Sequence, residues 1–395
     1  MLTFPISEFQ ERLKKTKQRM VNEGIDLLLV TDPANMNYLS GYDAWSFYVQ
    51  QMLIVMLEEE QPIWVGRGQD ANAARYTTWL DDDHIISYGD HYVQSDVRHP
   101  MDFVTDVLRE RKYGHKAIAV ELDAYYFTAR SYMQLIKGLP SATFKDGTNL
   151  VNWVRIIKSE RELSYMRNAA KISENAMQAA IDAINEGVRQ CDVVAEISHA
   201  QISGTEDFGG DYPSIVPLLP TGDKTSASHL TWTDERFQDG DPVIIEIAGC
   251  YKRYHSPLAR TAVIGRPDES MQYVSDVVLE GINTVLDTVK PGMTCEELEG
   301  IWRSVIEKSG IKKESRMGYS MGVNYPPDWG EHTASLRPGD KTVLEPNMTF
   351  HFIPGIWLNQ MGVEISESFV VTENGCDVLA DFPRDLMVKP NIRLA

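Results

Sequence analysis

Gly240-Asp241-Pro242-Val243-Ile244-Ile245-Glu246-Ile247-Ala248-Gly249 decides how this chain is read, together with Tyr254-His255-Ser256-Pro257-Leu258-Ala259-Arg260-Thr261 just after it. The apolar run Val243-Ile244-Ile245 reads as a largely buried strand that closes on Glu246. A carboxylate in such a place is costly unless it is paired or used. Glu246 is therefore either a structural hydrogen-bonding group or a functional acid that faces a cation and acts as nucleophile or base.

Outward from this strand the pattern is one of long helices and further strands. Ser159 with Glu162 caps a helix whose apolar residues include Met166, Ala169, Ala170, Ile172, Ala176, Met177, Ala180 and Ile181, and which stops before Gly187. A second helix spans roughly residues 271–289. A third opens at Thr294 with Glu297 and stops near Gly310. Strands are expected over residues 243–247, 261–264, 349–353 and 369–372, a mostly antiparallel set that makes an α+β domain. Ahead of it, Ser7 and Gln10 read as a capping box for a first helix. Residues 26–31 read as a buried strand, residues 52–57 and 62–65 as a hairpin pair, and residues 117–121 as another strand. That half is an α/β domain. The boundary is expected between residues 1–158 and 159–395.

At 395 residues, 43% hydrophobic and 24% charged, the chain is sized for two domains with separate cores. A net charge of −19 argues against nucleic acid, which requires a basic footprint. Cys191, Cys250, Cys295 and Cys376 are widely spaced and read as reduced thiols. The start of the chain lacks a basic head followed by an apolar run, and no stretch approaches the ~18 apolar residues of a membrane span. A soluble, cytoplasmic protein is expected. Walker, HExxH, GxSxG and GxGxxG motifs are absent.

The order and spacing of Arg155-Ile156-Ile157-Lys158 with Glu162, the strand at 240–249, Arg260-Thr261 and Leu344-Glu345-Pro346 resemble the pita-bread fold of creatinase, aminopeptidase P and prolidase. Asn35-Met36-Asn37-Tyr38-Leu39-Ser40-Gly41 resembles a segment of the creatinase-type first domain, which is ribonuclease H-like, so the likeness covers essentially the whole chain. The metal-dependent members carry Asp, Asp, His, Glu and Glu at five stations. Here those stations read Glu246, Pro257, Tyr319, Ile353 and Ser366. One carboxylate among Pro, Tyr, Ile and Ser does not supply what two divalent ions need, so neither metal nor other cofactor is expected.

Within the family the chain is similar to the metal-free branch, creatinase and the ectoine-hydrolysing members, and nearest to the latter. The likeness implies ring opening of ectoine, a cyclic amidine, to N-acetyl-2,4-diaminobutyrate, with hydroxyectoine as a further candidate. Creatine is disfavoured, because the arginine that creatinase has near Val49 is missing and its glutamate before Arg-Thr is Ala259. The other rivals are a metal-dependent Xaa-Pro peptidase, which needs the missing ligands, and a pseudo-enzyme kept to bind a partner.

The resemblance also marks site residues. His229, twelve residues before Asp241, stands in the register of the family's catalytic histidine, and imidazole exchanges protons near neutral pH. Glu246 is the second catalytic residue. Tyr319, at the old histidine station, is expected to hydrogen-bond substrate. Of Glu364 and Glu367, which alternate on opposite faces of a regular strand, Glu367 is favoured because it falls beside the last metal station. His255 and Tyr212 are lesser candidates. Trp45, Phe47 and Tyr48 correspond to a creatinase loop that reaches the neighbouring subunit's pocket. Aromatic faces there suit a flat cation, and a homodimer would be needed for activity.

Overall fold

A computed structural model describes residues 2–390. The chain folds as two compact units, one running to Arg155 and the other starting at Ile156.

In the first unit α1 (Ile6–Asn22) leads to β1 (Leu27–Val30), α2 (Pro33–Ser40), β2 (Met52–Met56), β3 (Ile63–Arg67), α3 (Ala71–Thr77), β4 (Ile85–Tyr88), α4 (Pro100–Glu110), β5 (Ala117–Val120), α5 (Ala129–Gly138) and β6 (Thr143–Asp146). The six strands form one sheet in the order β4-β3-β2-β1-β5-β6. The expected hairpin is present, with Met52 opposite Val65. β1 is buried throughout, as its unbroken Leu27-Leu28-Leu29-Val30 run requires for a central strand. The capping box at Ser7 is not formed. The helix starts two residues earlier, at Ile6 behind Pro5, so Ser7 already lies in the first turn and no side-chain cap is formed among the described residues.

The second unit contains α6 (Glu160–Ala183), α7 (Gln190–Ser203), β7 (Pro242–Tyr251), β8 (Tyr254–Ile264), α8 (Glu269–Thr288), α9 (Cys295–Lys308), β9 (Gly318–Met321), β10 (Gly330–Ser335), β11 (Thr349–Phe352), β12 (Ile356–Trp357), β13 (Gly362–Val363), β14 (Glu367–Val371), β15 (Cys376–Val378) and β16 (Met387–Lys389). The expected caps of α6 and α9 are formed, each with both reciprocal bonds. α7 escapes a sequence reading because glutamines occupy two of its buried positions, Gln190 and Gln201, and hide the apolar period.

β7 and β8 pair antiparallel over their whole length, with Glu246 opposite Ala259. Val243, Ile245, Ile247 and Leu258 on one face of this ribbon pack against Ala170, Ala176, Met177 and Ala180 of α6 in the core of the unit. The approach is close at Gly249, where a β-carbon would stand 2.1 Å from the Ala169 carbonyl oxygen. Strand alternation sends Glu246 and Ala259 to the opposite face. A second sheet, β10-β9-β11-β14-β15, is also antiparallel and carries Tyr319, His351 and Ser368 side by side. No helix among the described residues is long and apolar enough to cross a membrane.

Candidate active site

Glu246 is 5% exposed and takes its backbone bonds from Leu218. Burial pushes its carboxyl up to about 8, with the Asp328 charge adding to the effect. Glu364 is fully buried, and both of its carboxyl oxygens lack a hydrogen-bond partner among the described residues. Burial, and after it Glu246, raise its pKa well above the carboxylate range, with Lys313 acting the other way. The Glu246 charge thus opposes ionisation of Glu364 in a buried site, an arrangement that separates an acid from a carboxylate.

Lys313 borders this pair. Its Nζ donates to the Gly355 carbonyl at 2.6 Å and lies 4.3 Å from the centre of the Trp357 ring. Burial lowers the amine to about 8, and Glu364 partly offsets the loss. No ion pair within 4.0 Å joins the amine to Glu364 among the described residues.

Tyr319 receives the Trp329 indole N–H at 2.7 Å and stands 3.0 Å from His351 Nδ1. His351 Nε2 is 2.8 Å from Ser366 Oγ, which accepts the Ala259 amide at 2.7 Å. Burial, then Glu246, push the Tyr319 phenol well above its ordinary range. Burial, then Arg316, bring His351 down to about 3, so both rings are neutral. Asp328 is raised by burial, but its bond to His332 and the Gly330 amide leave it below the usual range.

Parity along residues 363–367 places Glu364 and Glu367 on opposite faces of a continuous strand, and the structure breaks that strand. β13 and β14 belong to different sheets, and the residues between them are hydrogen-bonded to Ala259 and Thr261 of β8. Glu364 N donates to Thr261 Oγ1 at 2.8 Å, and Ser366 N donates to the Ala259 carbonyl at 3.1 Å. Glu364 and Ser366 thereby share the Glu246 side of the ribbon. Glu367, favoured from the sequence, turns the other way into a fully buried ion pair with Arg260 at 2.7 Å and is also reached by Arg384 at 2.8 Å. That pairing occupies one carboxyl oxygen with guanidinium groups, which is the work of a structural anion.

The remaining sequence candidates separate by environment. His255 is fully buried on β8, and its Nε2 accepts the Ser214 amide at 3.0 Å, so it anchors a loop and is held well below its usual pKa, first by burial. His229 is exposed in the loop after Gly222–Ser226, a turn tied to Gly362 N through Thr225 Oγ1 at 3.1 Å. No contact joins His229 to Glu246 among the described residues. In the first unit Phe47 is buried between Trp45 and Tyr126, at ring distances of 4.8 and 5.0 Å, which makes it a packing residue. Trp45 and Tyr48 are exposed. His351, Trp329, Lys313 and Trp357 were not singled out, since each is an isolated residue with no periodic or motif signal.

The donor set does not fit a pair of divalent cations. Of the five stations, Glu246 alone offers a carboxylate, and Ser366 is already committed to His351 and Ala259. No cluster of three or more His, Cys, Asp or Glu among the described residues could hold a metal ion.

Residues 12–157 match the Creatinase/Prolidase N-terminal domain, and residues 164–373 match metallopeptidase family M24. The chain belongs to family M24. Among its relatives, the Ectoine hydrolase of Halomonas elongata is 46% identical over 98% of this chain and 99% of that protein. An uncharacterized hydrolase/peptidase of Sinorhizobium fredii is 47% identical over 98% and 99%. The prolidase of Pyrococcus horikoshii superposes with a TM-score of 0.81 over 95% of this chain and 100% of its own, at 24% identity. That likeness shows the shared fold. The α/β first domain and pita-bread second domain expected from the sequence are thus the fold found, and this M24 chain is a hydrolase.

Proposed function

We propose that this M24 hydrolase opens the cyclic amidine ring of ectoine to N-acetyl-2,4-diaminobutyrate without a metal ion. Full-length similarity to an ectoine hydrolase supports the substrate. The observation that carries the reading is Glu364, a buried acid with no hydrogen-bond partner among the described residues, close enough to Glu246 to feel its charge.

An amidinium ion is flat and cationic, so a desolvated carboxylate is its natural counter-charge. Binding of that cation favours the ionised form of Glu246, whose pKa burial raises to about 8. Glu364, whose pKa burial and then the Glu246 charge raise well above the carboxylate range, is the group that carries the proton. Oxygen then adds to the amidine carbon, delivered by Glu246 itself or by water that Glu246 deprotonates. One carbon–nitrogen bond breaks, the departing ring nitrogen takes the proton of Glu364, and water supplies the remaining atoms of the amide and amine. His229 is the solvent-open candidate for exchanging that proton with bulk, since His255 and His351 are both buried and hydrogen-bonded.

Proton NMR of ectoine with chelator-treated, metal-assayed protein tests this directly. Ring opening at metal content far below enzyme content is the expected result. An unchanged ectoine spectrum removes the substrate, and activity that returns only with added metal removes metal independence. Creatine and an Xaa-Pro dipeptide are the controls for the rival readings.

A homodimer belongs to the same proposal, because exposed Trp45 and Tyr48 are the kind of aromatic surface a second copy covers. Light scattering should return twice the mass of 44.7 kDa. A monomer with full ectoine turnover would set this aside.

A further inference from the structure

We propose that His351 is a positioning residue that makes Tyr319 an obligate hydrogen-bond donor to the reacting substrate, a role that rests on the hydrolase reading of the same pocket. β9 and β11 run antiparallel with His351 directly opposite Tyr319, so the two rings stand on one face of the sheet. Four bonds make a continuous chain: the Ala259 amide to Ser366 Oγ at 2.7 Å, Ser366 Oγ to His351 Nε2 at 2.8 Å, His351 Nδ1 to the Tyr319 oxygen at 3.0 Å, and the Trp329 indole to that same oxygen at 2.7 Å.

The two ends of the chain can only donate, because an amide N–H and an indole N–H have no lone pair to offer. Between them a neutral imidazole has one donor nitrogen and one acceptor. Two proton arrangements are therefore open. In the first, Ser366 donates to Nε2, Nδ1–H donates to Tyr319, and the phenolic hydrogen is left over. In the second, Tyr319 donates to Nδ1, Nε2–H donates to Ser366, and the serine hydrogen is left over.

Burial decides between them. Ser366 is completely buried, and its hydroxyl has no acceptor other than His351 among the described residues. The second arrangement would strand its hydrogen in a dry core. Tyr319 is less completely enclosed than Ser366, and its phenol, though desolvated, feels the Glu246 charge. The first arrangement leaves the surplus hydrogen there, on the Glu246 side. Protonation of His351 would break the logic, and burial holds that ring neutral.

Both Tyr319 lone pairs are then filled by Trp329 and His351. The phenol cannot accept from an amidinium N–H, so the cation is left to the carboxyls. It can donate to the amidine nitrogen that gains a lone pair as the carbon becomes tetrahedral, an interaction the ground-state amidinium, whose nitrogens have no lone pair to offer, cannot make. His351 touches no reacting atom in this scheme; it sets which way Tyr319 points its hydrogen.

Nitrogen-15 NMR of histidine-labelled protein reads the tautomer without any substrate. The chain has nine histidines, and His351 is identified by the signal lost in His351→Gln or, independently, by the Nε2 signal moved in Ser366→Ala. The expected result is a protonated Nδ1 and a bare Nε2 across the pH range of the folded protein. A protonated Nε2, or a titrating ring, overturns the proposal. In parallel, Tyr319→Phe should lower kcat on ectoine by about 100-fold or more with KM little changed. A kcat equal to wild type overturns it as well. Absence of ectoine turnover by the wild-type protein is a failure of the substrate reading, and the tautomer then decides the relay by itself.

Discussion

Glu246→Gln is expected to lose about four orders of magnitude or more in turnover while remaining folded. The size follows from the role. Removing a general base costs about 10²–10⁴-fold and removing a nucleophile more, and Glu246 is one or the other. Folding should survive because the glutamine amide has the same shape and the lost group is a buried carboxyl with its pKa raised to about 8. The sign of the linked stability effect can be worked out. A group whose folded pKa lies above its unfolded value of 4.5 binds a proton more tightly in the native state. Its contribution is fully present below about 4.5 and is lost as pH rises through about 8. The wild-type protein should therefore lose urea resistance between those values, and Glu246→Gln should lose less. Steady-state kinetics with denaturation at several pH values checks both halves. Turnover within about tenfold of wild type would remove Glu246 from the mechanism.

The strand pairing that frames this candidate site could be read from the sequence because it is local. Glu246 and Ala259 lie on one hairpin, so their juxtaposition follows from strand pairing alone. The capping boxes at Ser159 and Thr294 were legible for the same reason, each being settled within four residues. The box at Ser7 misled because the helix starts two residues sooner, with Pro5 at the N-cap, where the ring presets the backbone angle. What the sequence hid is non-local. His351 gains its meaning from Tyr319 across one strand pair and from Ser366 on another segment, and no spacing rule links 319, 351 and 366. The relative placement of Glu364 and Glu367 is hidden for a related reason. Alternation assumes an unbroken strand, and this one stops after Val363 and resumes at Glu367 in a different sheet.

That break supplies the sharpest separation of structure from chemistry, since two glutamates three residues apart should fail in opposite ways. Glu364→Gln removes an acid whose oxygens have no hydrogen-bond partner among the described residues, so no native bond is lost and a desolvated ionisable group is replaced by a neutral one. Its expected signature is a fall of about 10²–10⁴-fold in kcat with stability unchanged or improved. Glu367→Gln instead leaves Arg260, fully buried, without its counter-charge and weakens the hold of Arg384. Breaking a buried pair from one side costs about 3–5 kcal/mol. Arg260 keeps backbone carbonyl acceptors at Ala259, Ser366, Phe382 and Pro383, which places the expected loss near the lower end. The fraction of Glu367→Gln that folds should retain kcat within about tenfold, because Glu367 turns away from the Glu246 side of the ribbon. Denaturant midpoints and kcat measured on both proteins decide the matter. A stable, inactive Glu367→Gln beside a destabilised, active Glu364→Gln would reverse the two assignments and move the acid of the reaction to the Arg260 side of the strand.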